Sequence, residues 1–331
     1  MSKTQVIAIV SLFVLCVAFT APLAIPQKAI AEDKIYIRIG TGGVGGVFYP
    51  VGGGIAEVLK KEIPNCVATA QSTGASNENA RLLRTKKIEI GFNDSYVSWH
   101  AFHGKGPYEG ETISNIRIIG RLYGAPMHIF TLKRYGVNSV ADLKGKKVAV
   151  GASGSGTELY SRVVFPALGL ELKKDFDPVK IGYRPTVDAI KAGRVHGAYQ
   201  IGGIPMPYIN ELAMTEDVIV LEMSKKKADE LDQKFPTFFK ATIPANSYKG
   251  QDRDIATLEV RNCLLVRSDM SDDLVYKITK AIYSEKGLNY LKTVHNAMKG
   301  LTVENCAEWA KKPWIPMHPG AEKYYKELWA K

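Results

Sequence analysis

Metal-ligand spacing is missing from this chain. Its four cysteines and six histidines form no Cys-x-x-Cys pair and no cluster with a carboxylate. His100 and His103 could share one helix face, but no Glu or Cys ligand stands near them, so the expectation is no metal. Catalytic groupings are missing too. Asp94 is a lone acid at a strand end, Asp142 begins a surface turn, and no nucleophile has a base beside it. Gly151–Thr157 has the glycine spacing of a P-loop without its lysine, because Thr157 directly follows Gly156. The same stretch fails as a nucleophile elbow, since Ser155 stands where a second glycine is needed. Gly40-x-Gly42-x-x-Gly45 satisfies the dinucleotide fingerprint, but the next strand ends in Gln71-Ser72-Thr73, where an acid should meet the ribose. The expectation is therefore a non-enzyme without a cofactor. A secreted NAD(P)-dependent oxidoreductase stands as the alternative of another class.

Long apolar runs are absent after residue 31, and the one before it is too short to span a bilayer. Lys3, the apolar stretch Val6 to Phe19, and Ala29-Ile30-Ala31 have the order of a secretion signal. We expect cleavage after Ala31 and release into the periplasm. Leu15 precedes Cys16 where a lipoprotein would have a small residue, so no lipid anchor is expected. Processing removes Lys3 and Lys28 and no acid, which lowers the formal net charge of +11 by two. The remaining positive field favours small anions. Lysine clusters such as Lys225-Lys226-Lys227 lack interleaved aromatics, so nucleic acid is not expected. Cys66, Cys263 and Cys306 survive, an odd count that allows one disulfide and one free thiol.

Strands and helices alternate, which predicts an α/β fold with largely parallel sheets. Strands are expected at Ile35–Ile39, Val67–Gln71, Ile88–Phe92, Ile116–Gly120, Met127–Leu132, Val148–Val150, Val179–Tyr183, Val195–Gln200, Val218–Leu221 and Leu258–Val266. Helices are expected between them, including Pro50–Glu62, Asn77–Lys87 and Thr157–Leu168. Ala125-Pro126 breaks the pattern and reads as a crossing between domains, with the return at Leu258–Val266. The boundaries are residues 1–31 for the signal, 32–125 plus 251–331 for lobe I, and 126–250 for lobe II.

Three glycine- and hydroxyl-rich loops each join a strand to a helix. They are Gly40–Gly46, Ser72–Ser76 and Gly151–Thr157. Such loops offer free N–H groups and hydroxyls in front of a helix N-terminus, which suits an anion. The candidate ligand-binding residues are Thr41, Gly42, Gly43, Gly45 and Gly46 in the first loop, and Thr73, Gly74, Ala75 and Ser76 in the second. The third contributes Ser153, Ser155, Gly156 and Thr157. Ser155 with Glu158 also fits a capping box. Tyr49, Asn93, Tyr183, Arg184 and Gln200 join them as residues at strand ends. Arg184 reads either as a clamp for a carboxylate or as a solvent-exposed loop arginine.

These segments carry a resemblance. Gly40–Pro50 (GTGGVGGVFYP), Ala68–Leu83, Asp142–Glu158, Ile243–Asp252 and Met317–Glu327 resemble the TAXI-type solute receptors of tripartite ATP-independent periplasmic (TRAP) transporters. The resemblance implies a type II periplasmic binding protein, with two α/β lobes and a ligand cleft between them. It implies capture of a small carboxylate of the glutamate or 2-oxoglutarate kind by a monomer, and delivery to integral membrane subunits. Ala75, Asn77, Asn93 and His196 depart from the family's usual Gly, Val, Gln and Asp. A receptor for an ABC importer of sulfonates or similar anions is the alternative within the class.

Overall fold

The computed structural model describes residues 34–234 and 237–330. The expected signal lies outside the described residues. The first half of the sheet is built from β1 (Ile35–Gly40), β2 (Cys66–Gln71) and β3 (Ile90–Asp94), with β1 parallel to both others. Helices α1 (Phe48–Glu62), α2 (Ser76–Arg84) and α3 (Ser95–His103) follow these strands in turn. Ile37 and Ile39 alternate inward along β1, as one buried face demands.

The two expected strands around Ala125-Pro126 are one. Strand β4 runs unbroken over Ile116–Leu132. Pro126 is tolerated because the ladder changes partner there. Pro126 is the last residue to face β10 (Ile255–Arg267), opposite Glu259, and Met127 the first to face β7 (Gly197–Ile201), opposite Ile201. β5 (Lys147–Ala149) lies between β7 and β6 (Asp177–Val179), parallel to both. β8 (Val218–Leu221) pairs with β4, and β9 (Phe239–Ile243) with β10. The order along the main path is β2-β1-β3-β10-β4-β7-β5-β6. The parallel expectation therefore holds at the two ends only. Around β4 and β10 the pairing is antiparallel, because these long strands run against their neighbours.

Helices α4 (Gly156–Ala167), α5 (Tyr183–Lys191), α6 (Pro207–Thr215) and α7 (Lys225–Lys234) belong with the second group of strands. The expected strand Val179–Tyr183 stops at Val179, and Tyr183 starts α5 instead. The chain ends in α8 (Asp272–Tyr283), α9 (Glu285–Val294), α10 (Val303–Ala310) and α11 (Pro319–Trp329). Cys66, Cys263 and Cys306 are buried and unpaired. From Lys34 onward the chain packs as one compact unit, through which both long strands run.

Candidate functional site

A parallel strand followed by a helix sends its connecting loop to the carboxyl edge of the sheet. β1, β2 and β3 do so on one side, and β5 and β7 on the other. Their loops face a shared cavity of about 40 Å³. All three glycine-rich loops contribute to its wall: Gly42, Gly43 and Gly46 from the first, Ala75 and Ser76 from the second, Gly156 and Thr157 from the third. Tyr183 closes it from α5. A second hollow of about 70 Å³ shares Gly43, Ala75, Thr157 and Tyr183, and adds Thr73, Gly74, Ser155 and Gln200.

Three helices present their first turns to the main cavity. Ser155 caps α4, its hydroxyl accepting the Glu158 N–H at 3.1 Å. The preceding turn residues Gly156 and Thr157 stand on the cavity wall with N–H groups that the helix itself does not use. Only half the capping box forms, since the Glu158 carboxylate pairs with Arg162 at 2.6 Å and Lys180 at 3.2 Å. α1 and α2 start at Phe48 and Ser76 with no side-chain cap at all. Ala75, before α2, has φ 69° and ψ −152°, a backbone region natural only to glycine. The Tyr183 hydroxyl donates to the Ile201 carbonyl at 2.8 Å, and burial pushes its pKa up to about 12. It is neutral at any ordinary pH.

Several candidates have other positions. Thr41 is fully buried and bolts β1 to β2: its hydroxyl donates to the Gln71 carbonyl at 2.6 Å, and its methyl occupies the space a Cβ on Gly52 would need. Asn93 is buried beneath the wall, its amide donating to the Ser76 carbonyl at 2.8 Å and its Oδ1 accepting the Asp94 N–H at 2.9 Å. It positions Ser76 and is not on the cavity surface. Gly45 lies beside the Tyr183 Cβ, and Tyr49 and Ser153 are exposed outside both hollows. Arg184 turns to the surface: its guanidinium binds Glu211 at 2.6–2.7 Å, and it stands outside both hollows. Gln200 is buried; its amide donates to Thr186 at 3.3 Å while its Oε1 has no partner.

The cavity also holds residues that the sequence reading did not select. Asp94, Tyr160 and Asn262 line it together with the aromatic rings of Phe48 and Tyr123. Asp94 is almost wholly buried and caps α3, accepting the Val97 N–H at 2.9 Å, and it also accepts the Tyr160 hydroxyl. Burial raises its pKa above the ordinary carboxyl value, against the opposing pull of the Ser76 and Tyr160 hydroxyls and two backbone N–H groups. Asn79 is the hidden scaffold: its amide donates to Thr41 at 2.7 Å and Phe92 at 2.8 Å, tying two loops and β3 together. Strand-end position was the signal for Asp94, and nothing in the local sequence pointed to Asn262.

A family model covers this whole arrangement, matching residues 39–328. The chain belongs to the NMT1-like family. Among solved structures, a protein of Bordetella bronchiseptica RB50 matches this NMT1-like chain over 90% of its length and 99% of its own, with 15% identity and a TM-score of 0.54. The binding-protein component of an ABC phosphonate transporter from Pseudomonas aeruginosa matches over 80% of each chain, with 11% identity and a TM-score of 0.50. The alkanesulfonate-binding protein SsuA from Xanthomonas axonopodis pv. citri, bound to MOPS, matches over 89% of this chain and 85% of its own, with 15% identity and a TM-score of 0.47. At these identities the likeness is one of fold. The NMT1-like chain shares the mixed α/β fold of these neighbours.

Proposed function

We propose that this protein is an extracytoplasmic receptor that captures a small anionic solute and delivers it to a membrane importer. One observation carries the reading. The first turns of α1, α2 and α4 converge on one cavity whose wall, among the described residues, carries no Lys, Arg or His. Such a site holds an oxyanion by N–H groups, hydroxyls and helix dipoles, not by a salt bridge. A cavity of about 40 Å³ has room for a small solute and none for a dinucleotide. In this reading lobe I comprises 32–125 plus 251–331, lobe II comprises 126–250, and β4 and β10 join them. A solute that touches both lobes binds the closed form better and shifts the population toward it.

Two importers fit this receptor. The Pseudomonas neighbour is named for phosphonate and the Xanthomonas one for alkanesulfonate, which favours the sulfonate- or phosphonate-type ABC receptor. The loop motifs Gly40–Pro50 and Asp142–Glu158 favour the TRAP receptor for a carboxylate. A thermal-shift screen of ethylphosphonate, taurine, succinate, 2-oxoglutarate and glutamate decides between them. A ligand at 100 times its Kd adds about 2.7 kcal/mol to stability, a rise of a few degrees in Tm. Response to a neutral sugar and to none of these anions would sink the proposal.

A further inference from the structure

The cavity has an acid where an anion receptor needs none. Asp94 is about 2% exposed, on the wall. Its Oδ2 lies 3.3 Å from the place a Cβ on Gly156 would take, so it sits directly against the α4 N-terminus. Its neighbours in the cavity are neutral donors, and no basic side chain joins them among the described residues. Hydroxyl and N–H donors satisfy its oxygens, but no counter-charge stands beside it. A second residue gives the cavity a donor to set beside this acceptor. Asn262, facing Asp94 across the β3–β10 ladder, is about 1% exposed, and its Nδ2 has no partner. The Tyr123 hydroxyl on the same wall is unpartnered as well. Aromatic rings of Phe48, Tyr123, Tyr160 and Tyr183 enclose the space, a surface that receives an ammonium as readily as an apolar chain.

We propose that Asp94 is the specificity-determining residue of this cavity, receiving an ammonium or other N–H donor of a solute whose opposite end is the anion held by the helix N-termini. This rests on the receptor reading above and narrows it from any small anion to a zwitterion or an anion with a nitrogen donor. Asn262 and Tyr123 then serve acceptor atoms between the two ends. Purely anionic solutes meet Asp94 with repulsion, or force it to hold a proton.

Matched pairs that differ by one amine test this: taurine against ethanesulfonate, 2-aminoethylphosphonate against ethylphosphonate, and β-alanine against propionate. Calorimetry on the wild-type protein at pH 7 should show the amine-bearing member tighter by at least about tenfold in the pair whose head group binds. Asp94→Asn should bring that pair within about threefold of each other, while retaining a side-chain oxygen to cap α3. Asp94→Ser, which also caps, replaces it should the first variant not fold. Equal or tighter binding of the amine-free member overturns the proposal and leaves the receptor intact. A preference that survives both variants overturns it too. If no member of any pair binds, the anion-receptor reading itself falls, and the proposal with it.

Discussion

The ring of Tyr183 occupies the space that a side chain on Gly46 would need. A Cβ there would lie 2.4 Å from the tyrosine Cε2 and 2.8 Å from Cδ2. Gly46 belongs to the first loop and Tyr183 to the start of α5, so this close approach joins the two sides of the cavity. Tyr183 cannot swing freely, because it stacks on Tyr208 with centroids 5.0 Å apart and its hydroxyl is bonded to Ile201.

Gly46→Ala should therefore cost about 1–3 kcal/mol by overpacking and weaken solute binding. Combining it with Tyr183→Ala should give less than the sum of the two single losses, since the second change makes room for the first. Urea denaturation of the four proteins in the cycle measures this. Strict additivity would show that the contact does not couple the two sides.

Ala75 predicts the opposite sign. It holds a backbone region in which an L-residue is strained, immediately before α2. Ala75→Gly relieves strain worth about 1–3 kcal/mol and loses about 0.4–1 kcal/mol through the freer unfolded chain. The net expectation is a gain near 1 kcal/mol in the denaturation midpoint analysis. A destabilised glycine variant would contradict the strained geometry.

Arg184→Ala should leave solute affinity within about twofold, because the guanidinium engages Glu211 on an exposed face. Thr157→Ala, which removes a hydroxyl from the cavity wall, should lose about 0.5–1.5 kcal/mol of binding. Calorimetry with the solute found in the screen compares the two. A larger loss at Arg184 would mean that its side chain leaves Glu211 for the ligand.

His128 supplies a pH dependence. It is fully buried on β4, its Nδ1 2.9 Å from the Pro126 carbonyl and its Nε2 2.9 Å from the Tyr248 hydroxyl. That hydroxyl in turn accepts the Met206 N–H at 3.0 Å. Burial lowers the imidazole pKa to about 4. The folded protein thus keeps His128 neutral where the unfolded chain, near 6.5, already binds a proton. Its contribution is whole above pH 6.5 and is lost as pH falls from 6.5 towards 4, by about 3 kcal/mol. His128→Gln should be less stable at pH 7 and lack this slope. Parallel pH-stability curves for the two proteins would refute the assignment.

Alternation of strands and helices, and the three glycine-rich loops, were legible because each is a local matter. An apolar strand, a glycine turn and an amphipathic helix lie within about thirty residues and report on one another directly. That Gly42, Ser76 and Thr157 share one cavity followed from the rule that such loops gather at the carboxyl edge of the strands. Three things were not local. Arg184 fitted a clamp and a surface arginine equally until the fold set Glu211, a whole strand away, against its guanidinium. Ala125-Pro126 looked like a break until β10 and β7 showed that β4 merely changes partners there. Asp94 looked like a lone acid until antiparallel pairing placed Asn262 opposite it and α4 brought Tyr160 to its oxygen. Sequence by itself determined which loops present free N–H groups at helix starts, because small residues and a strand-to-helix turn suffice for that. Tertiary structure alone decided which side chains face the cavity, because a carboxylate's burial and partners depend on chain segments far apart in sequence.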